Sequence, residues 1–314
     1  MPLVAAMALA GGASVAQDKL VFGYIPNNMA FPYNVALTDG FKEKAATKGV
    51  DVVILDSKMS LETQANQIDD LLQQGVAAIG FMPNDSVAVQ ALVDKVAAAG
   101  IPIAATAVPV GDPNVNPPDY VYPELTALAT TDDVEGGRVA GRFAAEQLPK
   151  DRVVKIAVLE GAPGFAVVKQ RQDGFEEALK AAGIQFEIVA SQPTDWTPET
   201  GEALCQNILT ANPDVDLIYS HADQMAIGCA HALSALGSNA LLIDSAGGST
   251  AGLAAVASGD LDGSVCNQPK LLGEMTFDVL YEAVTNKANA KKGQFLSYPN
   301  IAVSKDNIDE CPPW

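Results

Sequence analysis

Basic charge is scarce in this chain: 19 Lys and Arg stand against 38 Asp and Glu in 314 residues, for a net charge of -19 and a pI near 4.3. A surface of that sign repels phosphate backbones and anionic membranes, so no nucleic acid partner is expected. Histidine is scarcer still, with His221 and His231 alone. Without an HExxH spacing or clustered cysteines, no metal set is expected. There is no G-x-S-x-G elbow, and the Gly-rich turns at 161–164 and 247–250 lack the Lys-Ser/Thr of a P-loop and the G-x-G-x-x-G spacing. An enzyme and a cofactor are therefore not expected. Long apolar runs are also missing, since none reaches the roughly 18 residues that a spanning helix requires.

What is present is 48% hydrophobic and 18% charged residues, enough for one large or two medium cores. Residues 1–17, MPLVAAMALAGGASVAQ, are uncharged, apolar from Leu3 to Ala10, and end in small residues, with Ser14-Val15-Ala16 resembling a cleavage site. This predicts an export signal, although no Lys or Arg precedes the apolar stretch. The four cysteines, Cys205, Cys229, Cys266 and Cys311, lie in the C-terminal half without a CxxC. In an exported chain they read as two disulfides among three pairings, and none stands near the signal to accept a lipid. The expectation is a periplasmic protein that is not lipid-anchored.

Short runs of Val, Ile and Leu alternate with helical patterns from residue 19 to residue 287, the mark of parallel sheets with crossover helices. Strands are predicted at 20–25, 52–56, 78–82, 103–107 and 127–131, and again at 154–159, 186–190, 217–220, 241–243 and 262–266. Helices are predicted at 35–48, 60–74, 86–99 and 132–147, then at 167–182, 198–211, 224–236, 250–258 and 271–287. Gly49, Gly75 and Gly100 suit left-handed helix ends. The halves are architectural copies, which predicts α/β architecture with two doubly wound parallel-sheet lobes joined by a three-segment hinge. The first lobe takes 18–131 with 268–299, and the second 132–267 with 300–314. Cys205 and Cys229 fall on helices after successive strands, which are neighbours in a 2-1-3-4-5 sheet, so Cys205–Cys229 and Cys266–Cys311 are the predicted bridges.

Seven stretches appear in order along the chain: Val35–Phe41, Met82–Ser86, Ala99–Ile103, Asp132–Gly141, Arg171–Phe175, Ala190–Pro193 and Ala222–Gly228. Together they resemble the ribose-binding-protein branch of the periplasmic sugar-binding proteins, the type I family shared with the effector domains of LacI-like repressors. A repressor needs a helix-turn-helix ahead of the first strand, and residues 1–18 are too few for one. The resemblance implies a hinged solute-binding protein that closes on a small polyol or sugar and delivers it to an ABC transporter permease, as a monomer. A sensory protein presenting the same ligand to a membrane receptor is the alternative of a different class.

Carried over by position, the resemblance implies a partly altered pocket. Phe31, Tyr33 and Asn34 stand where sugar binders stack a first-loop aromatic, and Trp196 where the second lobe adds another. Met82 replaces an Asn, Ala107-Val108 an Asp-Arg pair and Ala222 an Asn, and a late Asp falls near Ala246. Lys169 stands for an Arg and Asn267 for a Gln. Asn34, Thr106, His221, Asp223 and Asn267 are the candidate compensating polar contacts, although Asp223 also suits a cap on the helix from Gln224. Four lost polar positions point away from ribose, and a less hydroxylated, partly apolar or aromatic ligand is a further alternative.

Overall fold

The computed structural model of the chain describes residues 19–288 and 290–314. The export signal expected over residues 1–17 lies outside the described residues. In chain order the first lobe begins with β1 (Val21–Ile25), α1 (Pro32–Thr47), β2 (Asp51–Ile54), α2 (Leu61–Gln74), β3 (Ala78–Phe81), α3 (Gln90–Ala98), β4 (Ile103–Thr106) and β5 (Ala127–Ala129). The second holds α4 (Asp133–Gln147), β6 (Val154–Glu160), α5 (Ala166–Ala181), β7 (Phe186–Pro193), α6 (Pro198–Ala211), β8 (Leu217–Ser220), α7 (Asp223–Leu236), β9 (Leu241–Asp244), α8 (Thr250–Ser258) and β10 (Ser264–Val265). Then come α9 (Pro269–Thr285), β11 (Gln294–Leu296), β12 (Ala302–Val303) and a short 3-10 turn at Ile308–Glu310.

The first sheet runs β11-β5-β4-β3-β1-β2 and the second β7-β6-β8-β9, with parallel pairing throughout both. Helices cover both faces of such sheets, so the central strands read as continuous apolar runs instead of alternating ones. On one face of the first sheet Phe22, Tyr24, Phe41, Leu272 and Phe277 pack together, and on the other Ile25, Ile68, Leu71, Ile79 and Val93. The chain passes between the lobes three times, from β5 to α4, from β10 to α9 and from β11 to β12. The last helix thus returns to the first lobe, where α9 lies along α1, while β12 pairs antiparallel with β10 in the second.

Capping residues set the helix starts: Ser60, Asp132 and Ser249 accept from the N–H groups of Thr63, Glu135 and Gly252 at 3.1, 2.9 and 2.9 Å. Gly49, Gly75 and Gly100 take the left-handed values expected of them, at φ 67°, 68° and 74°. Some boundaries differ from expectation. Helix α1 begins at Pro32 instead of Val35, since proline is preorganised for a first turn. Helix α3 begins at Gln90 instead of Ser86; residues 86–89 form turns, entered where Asp85 Oδ1 accepts from the N–H groups of Val87 and Ala88, both at 2.8 Å. Strands β11 and β12, of three and two residues, carry too short a pattern to be read in advance.

Three helix pairs are built on reciprocal glycines. In α4 and α5, a Cβ on Gly137 would strike the Arg171 carbonyl, and one on Gly174 the Val134 carbonyl. In α9 and α1 the matching pair is Gly273 against Leu37 and Gly40 against Lys270, and in α7 and α6 Gly228 and Gly201 play the same part. Disulfides join Cys205 to Cys229 across α6 and α7, with Cα atoms 5.2 Å apart, and Cys266 to Cys311 in the closing segment, with Cα atoms 5.7 Å apart.

Candidate functional site

A cavity of about 110 Å³ lies between the lobes, at the carboxyl ends of their strands. The first lobe supplies Asn27, Phe31, Tyr33, Asn34, Met59, Met82, Ala107 and Val108, and the second Asp133, Phe165, Val167, Arg171, Trp196, Ala222, Asp223, Gln224 and Ala246. Thr131 and Asn267, on the crossing segments, and Trp314, in the closing segment, also line it. The lobes touch at the rim. Ser86 donates its N–H to the Gly164 carbonyl at 3.2 Å, and its Oγ accepts from Ala166 N–H at 3.2 Å. Val108, Phe165 and Val167 form an apolar cluster across the gap, joined by Met59, Met82 and Trp196.

Three wall residues other than glycine hold positive φ: Met59 at 59°, Ala107 at 63° and Trp196 at 69°. Such conformations cost about 1–3 kcal/mol each and persist where the surroundings over-determine them. Met59 N–H donates to the Asn27 carbonyl at 2.6 Å, Ala107 N–H to the Ala129 carbonyl at 2.8 Å, and Trp196 N–H to Thr194 Oγ1 at 3.2 Å. The Trp196 ring meets Phe165 edge-on at 6.0 Å and lies 5.9 Å from the Arg171 guanidinium. It sits so close to Gly161 that a Cβ there would overlap the indole.

The Asp133–Arg171 pair is the charged centre of the cavity. Arg171 Nε donates to Asp133 Oδ1 at 2.7 Å and Nη1 donates to the His221 carbonyl at 2.7 Å. Burial raises the Asp133 carboxyl above its usual range, and the guanidinium offsets part of that rise. The sequence builds this pair through the glycines: with α4 and α5 in close contact, Asp133 in the first turn of α4 reaches Arg171 on α5.

Seven of the ten expected ligand residues line the cavity: Phe31, Tyr33, Asn34, Met82, Trp196, Asp223 and Asn267. Asn34 Nδ2 donates to Asn27 Oδ1 at 2.5 Å and to the Asn28 carbonyl at 2.7 Å. Asn267 is 1% exposed, and its Oδ1 has no hydrogen-bond partner among the described residues. Asp223 does not cap α7; Ala222 takes that position, and Asp223 accepts from Ser249 N–H at 3.1 Å and Gln224 Nε2 at 3.2 Å. Burial raises its carboxyl above the usual range.

The other three lie elsewhere. Lys169 points to solvent and pairs with Asp173 one turn along α5; at 100° per residue, positions 169 and 171 face nearly opposite ways, and Arg171 shares the cleft face with Val167. Thr106 is buried inside the first lobe, 3.0 Å from Thr276 Oγ1. His221 is also fully buried: Nδ1 accepts from Gly161 N–H and Nε2 faces Gln172 Oε1, both at 3.4 Å. Desolvation, then the Arg171 charge, pushes it down to about 3, so it is neutral and acts through the carbonyl that holds Arg171.

Asp133, Arg171 and Trp314 were not among the residues the sequence pointed to. The first two lie in stretches that carry the resemblance, and their i,i+4 and i,i+3 spacing to Gly137 and Gly174 is a usable signal. Trp314 is tethered by Cys311: its N–H donates to the Gly248 carbonyl at 3.2 Å, its carbonyl accepts from Thr250 N–H at 2.9 Å, and its ring meets Tyr33 edge-on at 5.6 Å.

Two α/β lobes on three crossings, with one enclosed site between their strand ends, define a hinged binding protein of type I architecture. Residues 22–288 match the periplasmic binding protein domain family, and the chain belongs to it. It is a binding protein and not an enzyme. Over 271 residues it is 29% identical to the ribose import binding protein of Bacillus subtilis (strain 168), covering 86% of this chain and 84% of that one. Among solved structures, a Mycobacterium smegmatis protein in complex with beta-D-fucofuranose superposes with a TM-score of 0.81 at 25% identity, covering 93% of both chains. The Caulobacter myo-inositol binding protein bound to myo-inositol gives 0.83 at 22% identity, covering 93% of this chain and 95% of that one.

Proposed function

We propose that the chain captures a small polyol or sugar-like solute between its lobes in the periplasm and delivers it to an ABC importer. The observation that carries this reading is a cavity walled by both lobes, in which Asn267 Oδ1 and the Asp133–Arg171 pair stand ready for hydroxyl groups. A solute touching both walls favours the closed arrangement in which a permease would recognise the protein. The lobes divide near residues 131, 267 and 299, and the protein works as a monomer free of a lipid anchor. The ribose import binding protein, the fucofuranose complex and the myo-inositol binding protein support the solute class by their names. The test is a thermal-shift screen of sugars and polyols on the purified protein, where a ligand at 100 times its Kd adds about 2.7 kcal/mol. A screen that moves the transition with no sugar or polyol would overturn the reading.

A further inference from the structure

The cavity is chemically lopsided. Asp133, Arg171 and Asn267 have capacity in reserve: Asp133 Oδ2 and Arg171 Nη2 enter no hydrogen bond among the described residues, and Asn267 Oδ1 is buried without a partner. Met59, Met82, Val108, Phe165 and Val167 gather in one apolar cluster of the wall, which offers no side-chain donor or acceptor beyond thioether sulfur, while the amides of Asn27, Asn34 and Gln224 line other parts. A solute hydroxylated on all sides would lose water from the hydroxyls against that wall and receive nothing in exchange. A methyl, methylene or aryl edge there loses nothing and buries apolar area against the thioethers and rings. Charge on the solute is disfavoured in turn: Asp133 and Arg171 already neutralise each other, and the other carboxyl of the wall, Asp223, already accepts from Ser249 N–H and Gln224 Nε2 and is raised above its usual range by burial.

We infer that the solute is a neutral sugar or polyol with hydroxyls on one edge and an apolar substituent on the other, of the deoxy, O-alkyl or aryl kind. The hydroxyl edge meets Asp133, Arg171 and Asn267, and the apolar edge meets Met82, Val108 and Phe165. This rests on the solute-capture reading and sharpens it.

Titration calorimetry on matched pairs tests it: galactose with 6-deoxygalactose, myo-inositol with its mono-O-methyl ether, and arabinose with phenyl arabinoside. The expected result is at least one pair in which the apolar-substituted member binds tenfold or more tighter than its parent. Val108→Thr, which keeps the shape and adds a hydroxyl, should reduce that ratio at least threefold, and Val108→Ile, which keeps the wall apolar, should preserve it. Parents binding as tightly as their derivatives in every pair would overturn the inference while leaving solute capture standing. A panel in which neither parents nor derivatives bind would overturn both.

Discussion

The first lobe meets the cleft with Asn27, Phe31, Tyr33, Met59, Met82, Ala107 and Val108, none of them charged, whereas the second brings Asp133, Arg171 and Asp223. Their helix pairs are nevertheless built alike. Arg171 lies three residues before Gly174 just as Leu37 lies three before Gly40, and Asp133 lies four before Gly137 as Pro269 lies four before Gly273. One scaffold therefore carries an ion pair in one copy and Leu with Pro in the other. Close helix packing is a property of the fold, and the charge at its mouth is a separate choice made by two side chains.

Copying the first lobe into the second is the most direct way to break that contrast. Arg171→Leu strands a buried carboxylate, and loss of one partner of such a pair costs about 3–5 kcal/mol of stability, measured by urea denaturation; solute affinity should fall at least a hundredfold. The double change Asp133→Asn, Arg171→Leu should recover much of the stability but none of the affinity. Recovery of both would mean that the pair serves the helices and not the cleft.

An effect confined to acid pH is expected from the histidine behind the pair. His221 is held down to about 3 in the folded chain, so the unfolded chain takes its proton first, near pH 6.5. Stability should then fall by up to about 1.4 kcal/mol for each pH unit below 6.5 until the folded value is approached, and His221→Asn should remove that component. Equal pH slopes for the two proteins would show that the imidazole titrates alike in both states.

Trp196→Ala should weaken the best solute about tenfold, equivalent to about 1.4 kcal/mol, and Gly161→Ala should act similarly by displacing the same ring. Calorimetry that found unchanged affinity for both would assign the indole to packing against Phe165. Lys169→Ala should change stability by less than about 0.5 kcal/mol, as for most surface substitutions, and leave affinity unaltered. A large loss of binding there would move the charged face of α5 away from Arg171.

Much of this was legible in the chain. Alternating strands and helices and the glycine helix ends follow from local chemistry, the two bridges follow from the sheet order that alternation implies, and the loops at the strand ends contain most of the cavity wall. The loss of polar residues at Met82, Ala107, Val108, Ala222 and Ala246 was visible too, and all five face the cavity. What was hidden depends on rotation and on long-range contact. A start for α5 at Ala166 decides whether Lys169 or Arg171 faces inward, and two positions along a helix reverse the answer. Burial of His221 depends on neighbours from two other segments, Gly161 and Gln172.

The bridge between Cys266 and Cys311 spans 45 positions, and chain-entropy arguments credit such a link with roughly 4 kcal/mol. Its partner residues flank the cleft: Asn267 follows one cysteine, and Trp314 lies three positions beyond the other. Two portions of the recognition surface are thereby fastened by a covalent bond that forms only in oxidising surroundings. Where that bond forms, two separate portions of the cavity wall are held together by covalent chemistry as well as by folding.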